Sequence, residues 1–154
     1  MKPSAIIVDI DGTLADCSHR LKYFQSKPKD WPAFEAGQVD DKPIDDIRYL
    51  VTCMREVEGL NESKIIFVTG RNERTRRSTD KWLQDYVGMW VLDRQLLMRP
   101  DKDYRQDFEV KRDIYRDQIR DCYEVRFVLE DRQQCVDMWR AEGLTCLQVA
   151  KGDY

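Results

Sequence analysis

The sequence lacks any apolar run that approaches the ~20 consecutive residues a membrane-spanning helix needs, so no such helix is expected. Its opening residues lead directly into an apolar strand and do not resemble a signal peptide. We therefore predict a cytoplasmic protein without a membrane partner.

The sequence also lacks paired cysteines and a net positive charge. Its five cysteines are scattered and form no C-x-x-C pair, so neither a disulfide framework nor a zinc site is predicted. A formal net charge of -3 argues against a broad basic surface for duplex nucleic acid. A polyanion would have to be held by a local cluster of cations, such as the arginines between Arg71 and Arg77.

The length of 154 residues is sufficient for one domain with a proper core and is too short for two of ordinary size. Apolar strands alternate with helical segments along the whole chain. Strands are predicted at 5–8, 64–71, 96–98, 124–132 and 144–149, and helices at 43–58 (with a stop at Gly59), 73–87, 107–121 and 133–142. This alternation predicts an α/β fold, a doubly wound Rossmann-like parallel sheet over residues 1–154.

Residues 15–42 form an insertion after the first strand that is longer than an ordinary connection. Its aromatic residues include Phe24, Trp31 and Phe34, and we predict a small cap or lid over the strand ends. Arg20 lies near the start of this insertion, close enough in sequence to the first strand to reach a ligand. On spacing alone, a solvated arginine is an equally good interpretation.

The first strand ends in two carboxylates. Asp9 and Asp11 are two residues apart, which places them on the same side of an extended chain. Gly12 then supplies a turn that carries the chain off the sheet. Taken alone, Asp-x-Asp-Gly is equally well explained as a polar turn, so the rest of the chain has to decide.

Two further strands end in polar residues, with Thr69 and Arg71 after one and Glu130 and Asp131 after the other. The carboxyl ends of parallel strands meet at one edge, where such sheets bind ligands. Facing carboxylates there favour Mg²⁺, and nearby cations favour a phosphate. Lys111 lies early in a helix, where the dipole disfavours a cation, so it is either solvated or directed at an anion.

This combination predicts phosphoryl transfer. One carboxylate can attack phosphorus and form an aspartyl-phosphate, while a second serves as general acid and base. Arg71 and Lys111 would neutralise the charge of the transferred group.

The motifs at 9–13, 69, 111 and 130–131 resemble those of the haloacid dehalogenase superfamily of phosphotransferases. Within it, residues 7–15, 68–71, 131–133 and 138–154 resemble the phosphatase domain of bacteriophage polynucleotide kinase-phosphatases. The resemblance implies a haloacid dehalogenase fold that hydrolyses a 3′-phosphate from DNA or RNA ends or from nucleotides.

The resemblance also implies the role of each site residue. Asp9 would be the nucleophile and Asp11 the general acid and base, while Thr69 and Lys111 would contact the phosphate. Mg²⁺ would be held by Asp9, by the main-chain carbonyl of Asp11 and by Asp131. The residues that would contact substrate are Thr13, Arg20, Arg71 and Arg132. Glu130 and Asp107 would support the metal ligands and Lys111.

Two departures from the resemblance bear on function. Glu130 stands where the relatives have Asp, and the chain has no G-x-x-x-x-G-K-[ST] loop, so 5′-kinase activity is not expected from it. A nucleotidase acting on free nucleoside monophosphates stays open, as does a non-catalytic phospho-ligand module. The choice of DNA or RNA and the oligomeric state stay open as well.

Overall fold

The computed structural model describes residues 1–58, 64–88 and 95–152. Its strands are β1 (Ser4–Val8), β2 (Ala15–Asp16), β3 (Lys42–Pro43), β4 (Lys64–Asn72), β5 (Leu96–Arg99), β6 (Glu124–Arg132) and β7 (Cys146–Gly152). Its α-helices are α1 (Leu21–Gln25), α2 (Trp31–Ala36), α3 (Asp45–Glu58), α4 (Arg76–Val87), α5 (Asp107–Ile114) and α6 (Gln133–Ala141). The predicted stop at Gly59 lies outside the described residues, as do Asp153 and Tyr154.

Five strands form one sheet in the order β5-β4-β1-β6-β7, and each neighbouring pair is parallel. The sheet separates two apolar layers, because successive side chains of β1 point to opposite faces. Ile7 packs in the layer that contains residues of α5 and α6, whereas Ile6 packs in the layer that contains residues of α3 and α4. The predicted doubly wound parallel sheet is confirmed.

The insertion after β1 folds into two short helices, α1 and α2, together with two 3₁₀ turns. Its two ends meet in an antiparallel pair, with Ala15 opposite Pro43. The helix predicted to begin at Pro43 therefore begins at Asp45, because Lys42 and Pro43 belong to this strand pair. No helix in the described part of the chain is long and apolar enough to cross a membrane.

Candidate active site

Buried ionisable side chains from the residue after β1, from β6 and from α5 meet at the carboxyl edge of the sheet. Asp9, Lys111, Glu130 and Asp131 are each at most 3% exposed. The Lys111 ammonium lies 2.7 Å from Asp9 Oδ1 and 2.9 Å from Glu130 Oε2. Burial alone would lower the pKa of Lys111, but Asp107 and Asp9 raise it well above its ordinary value. Lys111 is therefore a charged residue directed at anions, one of the two alternatives that the sequence left open.

Asp107 is the third carboxylate beside Lys111, with its Oδ2 3.2 Å from the ammonium. Arg99 contacts the other oxygen, also at 3.2 Å. Burial raises the pKa of Asp107, but Lys111, Arg132 and Arg99 lower it below the ordinary value. A Cβ at Gly70 would lie 2.1 Å from Asp107 Oδ1, so this glycine lets the carboxylate approach the backbone of β4.

Asp9 has an unusual proton affinity in the metal-free protein. Burial, together with the charge of Glu130, raises its pKa to about 7 although Lys111 acts in the opposite direction. About half of Asp9 is therefore in the ionised form that a nucleophile requires at pH 7. A cation beside Asp9 would lower its pKa and favour this form.

We expect the metal-free protein to lose stability as pH rises from about 4 to about 7. The pKa of Asp9 is 3.8 ordinarily and about 7 in the folded protein. The contribution of Asp9 to the free energy of unfolding is therefore complete below pH 3.8 and is lost as the pH rises to about 7. Asp9→Asn removes the charge and should raise the free energy of unfolding near pH 8 by about 2 kcal/mol. Urea unfolding in EDTA near pH 5 and near pH 8 measures this; an equally steep pH dependence in Asp9→Asn would contradict it.

The carboxylates offer a site for a divalent cation. Oxygens of Asp9, Glu130 and Asp131 lie within 4.8 Å of one another. Glu130 is already engaged, since Oε2 accepts from Lys111 and Trp139, and Oε1 accepts from the main-chain N–H of Asp131. Both oxygens of Glu130 are thus occupied, whereas the contacts with Lys111 and Thr13 fall on Oδ1 of Asp9 and Oδ1 of Asp131. Asp9 and Asp131 are the better ligands, and two carboxylates fit Mg²⁺, which takes one or two of them together with water and phosphate oxygens.

Residues of the last strand, β7, contact Asp131. Gln148 donates from its side-chain amide to the Asp131 carbonyl oxygen at 3.0 Å. A Cβ at Gly152 would lie 2.1 Å from Asp131 Oδ2, so β7 can pass this carboxylate only with glycine at that position. These contacts give a physical reason for part of the 148–154 segment that carries the family resemblance.

We expect Gly152→Ala to weaken Mg²⁺ binding by about tenfold, because the added methyl group must displace the Asp131 carboxylate. Isothermal titration with MgCl₂ measures the affinity. Gly143→Ala is the matched control: Gly143 has a φ of +84° but open space around its Cβ position, so this change should lower the melting temperature without altering Mg²⁺ affinity. Equal losses of Mg²⁺ affinity in both variants would contradict the prediction.

Asp11 faces two arginines, away from the cluster of Asp9, Glu130 and Asp131. Its Oδ1 accepts from Arg20 Nη2 at 2.5 Å and from Arg71 Nη2 at 2.7 Å. Burial would raise the pKa of Asp11, but Arg71 and Arg20 lower it to about 2. Asp11 is therefore ionised in the free protein at neutral pH.

Asp41 is the residue of this site that sequence reasoning missed. Its Oδ2 accepts from both Arg20 and Arg71 at 2.7 Å, and its Oδ1 accepts from Arg20 Nε at 2.8 Å. It is fully buried at the end of the insertion, and its carbonyl oxygen accepts from Trp82 Nε1 at 2.7 Å. Asp41 thus fixes the two guanidinium groups that hold Asp11.

We expect Asp41→Asn to lower kcat on phosphomonoesters by about 10- to 100-fold, since an amide cannot accept from both arginines in the same way. Steady-state kinetics at saturating substrate measures this. Asp40→Asn changes the neighbouring exposed carboxylate and should leave kcat unchanged. A kcat for Asp41→Asn close to that of Asp40→Asn would refute the positioning role.

Other residues expected to contact substrate are engaged by protein groups. Thr13 is fully buried and donates to Asp131 Oδ1 at 3.3 Å. The buried Thr69 hydroxyl oxygen accepts from the Arg71 N–H at 3.2 Å. Arg20 is fully buried beneath the Phe34 ring, with its guanidinium carbon 4.4 Å from the ring centroid. Their substrate roles stay predictions.

The cluster opens into a pocket of about 530 Å³. Its floor includes Asp9, Asp11, Arg71, Lys111 and Asp131. Other lining residues come from the insertion, from the end of β5 and from the loop that precedes α5; they include Phe24, Trp31, Pro32, Phe34, Glu35, Arg99, Asp103, Tyr104 and Arg105. A ligand of nucleotide size could therefore reach the carboxylates through this pocket.

Comparison with known proteins gives three findings. The sequence profile described as "Polynucleotide kinase PNKP phosphatase domain" matches residues 3–154. A proposed bifunctional polynucleotide kinase/RNA ligase of Autographa californica nuclear polyhedrosis virus is 28% identical over 138 residues, which are 90% of this chain and 18% of the viral protein. A chain of the Pnkp1/Rnl/Hen1 RNA repair complex is 32% identical with a TM-score of 0.80, over 99% of this chain and 44% of that one.

The chain therefore spans less than half the length of these relatives. A more distant structure, the class C acid phosphatase from Bacillus anthracis, is 16% identical with a TM-score of 0.65. That structure supports the fold alone.

Proposed function

Because the chain belongs to the family of polynucleotide kinase PNKP phosphatase domains, we propose that it removes 3′-phosphate from polynucleotide ends with Mg²⁺. The observation that carries this proposal is the placement of Asp9 between Lys111 and Asp131 on the floor of a pocket, with the arginine-bound Asp11 beside it. We further propose that residues 1–154 form one phosphatase domain with residues 15–42 as its cap. The cytoplasmic location stays a prediction.

In the first step, an Asp9 carboxylate oxygen attacks phosphorus, and the bond from phosphorus to the 3′-oxygen breaks. Asp11 gives a proton to the leaving oxygen. Asp11 must first take up that proton from solvent when substrate binds. A phosphate dianion beside it would raise its pKa by repulsion between like charges and by competing for Arg71. Lys111 neutralises charge on Asp9 and on the transferred group.

In the second step, water attacks phosphorus and gives a proton to the Asp11 carboxylate. The bond from phosphorus to Asp9 breaks and inorganic phosphate leaves, which restores the Asp9 carboxylate. Asp11 ends the turnover protonated; it keeps this proton for the next substrate or loses it to solvent in the free protein. Asp9 and Asp131 would hold Mg²⁺ with the Asp11 carbonyl oxygen, and the ion would supply positive charge to the phosphoryl oxygens.

A nucleotidase is the second candidate, because aromatic residues of the cap lie against the pocket and could enclose a free nucleotide. A non-catalytic binding module is less well supported, since Asp9 and Asp11 are both present and held by charged partners.

The test compares a 3′-phosphorylated oligonucleotide, its 5′-phosphorylated twin and a nucleoside 3′-monophosphate, as DNA and as RNA, each with Mg²⁺ and with EDTA. We expect Mg²⁺-dependent phosphate release that is fastest from the 3′-phosphorylated oligonucleotide. Equal or faster release from the monophosphate would favour the nucleotidase. Release that EDTA leaves unchanged would overturn the metal assignment, and no release from any 3′-phosphate would overturn the proposed function.

A further inference from the structure

The insertion presents aromatic rings to the pocket. We use "aromatic cap surface" for Phe24, Trp31, Pro32 and Phe34, all of which line it. The three rings pack on one another, with centroids 5.5 to 6.0 Å apart. These contacts give the cap a small core of its own and hold each ring in place.

Packing within the cap does not account for the exposure of Trp31. Although it contacts two other rings, 47% of its surface is open to solvent. Tyr104 lines the same pocket and is 89% exposed. Single exposed rings are common on protein surfaces and indicate nothing by themselves. Trp31 differs because it lines the pocket that contains the carboxylates, next to Phe24 and Phe34, and this position favours contact with a ligand.

Contacts of helix α2 connect Trp31 to the strand ends that carry the carboxylates. Trp31 begins α2, whose N-terminus is capped by Asp30 through a hydrogen bond from Ala33 N–H at 3.0 Å. Glu35 in the same helix forms an ion pair with Arg74, which follows β4, at 2.7 Å. The cap helix is therefore tied to the strand ends that carry the site.

Charged residues of the pocket walls already have partners. Arg74 pairs with Glu35, and Arg99 with Asp107 at 3.2 Å. Arg105 pairs with Asp103 at 2.7 Å. A ligand would have to displace these carboxylates to gain the arginines. Trp31 has no such ion pair: the Lys29 ammonium lies 5.5 Å from its ring centroid, and 47% of the residue stays open to solvent. The pocket thus combines an anion-directed floor with an aromatic wall.

We propose that Trp31 stacks on the base of the 3′-terminal nucleotide while its phosphate lies at Asp9. This inference rests on the proposed function and adds that the protein recognises the terminal nucleoside together with its base. Stacking recognises any base, so no preference for base identity is expected. A nucleotide joins a flat aromatic group to an anionic group, which is the combination that the two parts of the pocket present.

The test uses two 3′-phosphorylated oligonucleotides that differ at the terminal nucleoside, which carries either adenine or no base. For the wild type we expect kcat/KM to be about tenfold lower on the abasic end, mostly through KM. Trp31→Ala should lower kcat/KM on the adenine end to the abasic level and leave the abasic end unchanged. Trp31→Phe should retain most of the preference, and Tyr49→Ala, an exposed tyrosine of α3, should retain all of it.

Equal kcat/KM on the two ends in the wild type would overturn the stacking role, as would equal losses on both ends in Trp31→Ala. Either result would leave the phosphatase proposal intact. If no 3′-phosphorylated end releases phosphate, isothermal titration still tests stacking, because it measures affinity and needs no turnover. Adenosine 3′-monophosphate should then bind about tenfold more tightly than ribose 3-phosphate, and equal affinities would overturn the inference.

Discussion

Asp9→Asn is expected to lower kcat for phosphate release by at least about 10⁴-fold, because it removes the oxygen nucleophile that attacks phosphorus. The amide keeps the size of the side chain, so the contacts of β1 should persist. Single-turnover phosphate release at saturating Mg²⁺ measures the effect. Asp46→Asn, which changes an exposed carboxylate of α3, is the matched control and should keep full activity.

The loss in Asp9→Asn should not come from unfolding, since removal of this charge is expected to stabilise the metal-free protein. Circular dichroism and urea unfolding of the same sample separate the two causes. A folded Asp9→Asn protein that retains more than about one hundredth of wild-type kcat would show that another group attacks phosphorus.

Lys111→Met is expected to lower the free energy of unfolding of the metal-free protein near pH 8 by about 3–5 kcal/mol. The Lys111 ammonium contacts Asp9, Asp107 and Glu130. Without it, Asp107 keeps Arg99, but Asp9 and Glu130 lose the only cation that contacts them in the described part of the chain. Lys81→Met is the control, because Lys81 is 72% exposed in its ion pair with Asp85 and should cost less than about 1 kcal/mol.

The effect of Lys111→Met should shrink as pH falls to about 5, since carboxylates that have lost their cation take up protons more readily. Added Mg²⁺ should also restore part of the stability by binding at Asp9 and Asp131. Urea unfolding near both pH values, with EDTA and with Mg²⁺, measures this. Stability near pH 8 that equals that of Lys81→Met would show that Lys111 does not hold the cluster together.

The strands and the site floor were predictable because their signals are local. Each apolar run ends in its polar residues within a few positions, so the alternation of strands and helices was sufficient to bring Asp9 and Asp131 to one edge.

The surroundings of Asp11 were not predictable, because they depend on how the insertion folds back. Asp41 is one of many carboxylates in the sequence, and it meets Arg20 and Arg71 only because the strand pair of Ala15 and Pro43 closes the insertion. Because Pro43 belongs to the same strand pair, α3 begins at Asp45 and not at Pro43, where the sequence predicted its start. No periodicity or spacing marks such a contact between distant segments.

The central claim is that Asp9 carries the phosphoryl group during the reaction. Its most direct test mixes wild-type protein with an oligonucleotide that carries a ³²P-labelled 3′-phosphate, quenches in acid within the first turnover and maps labelled peptides. The account predicts an acid-stable, hydroxylamine-sensitive phosphate on the peptide that contains Asp9, and none in Asp9→Asn. Label on a peptide without Asp9, or first-turnover release with no labelled protein at any quench time, would contradict it.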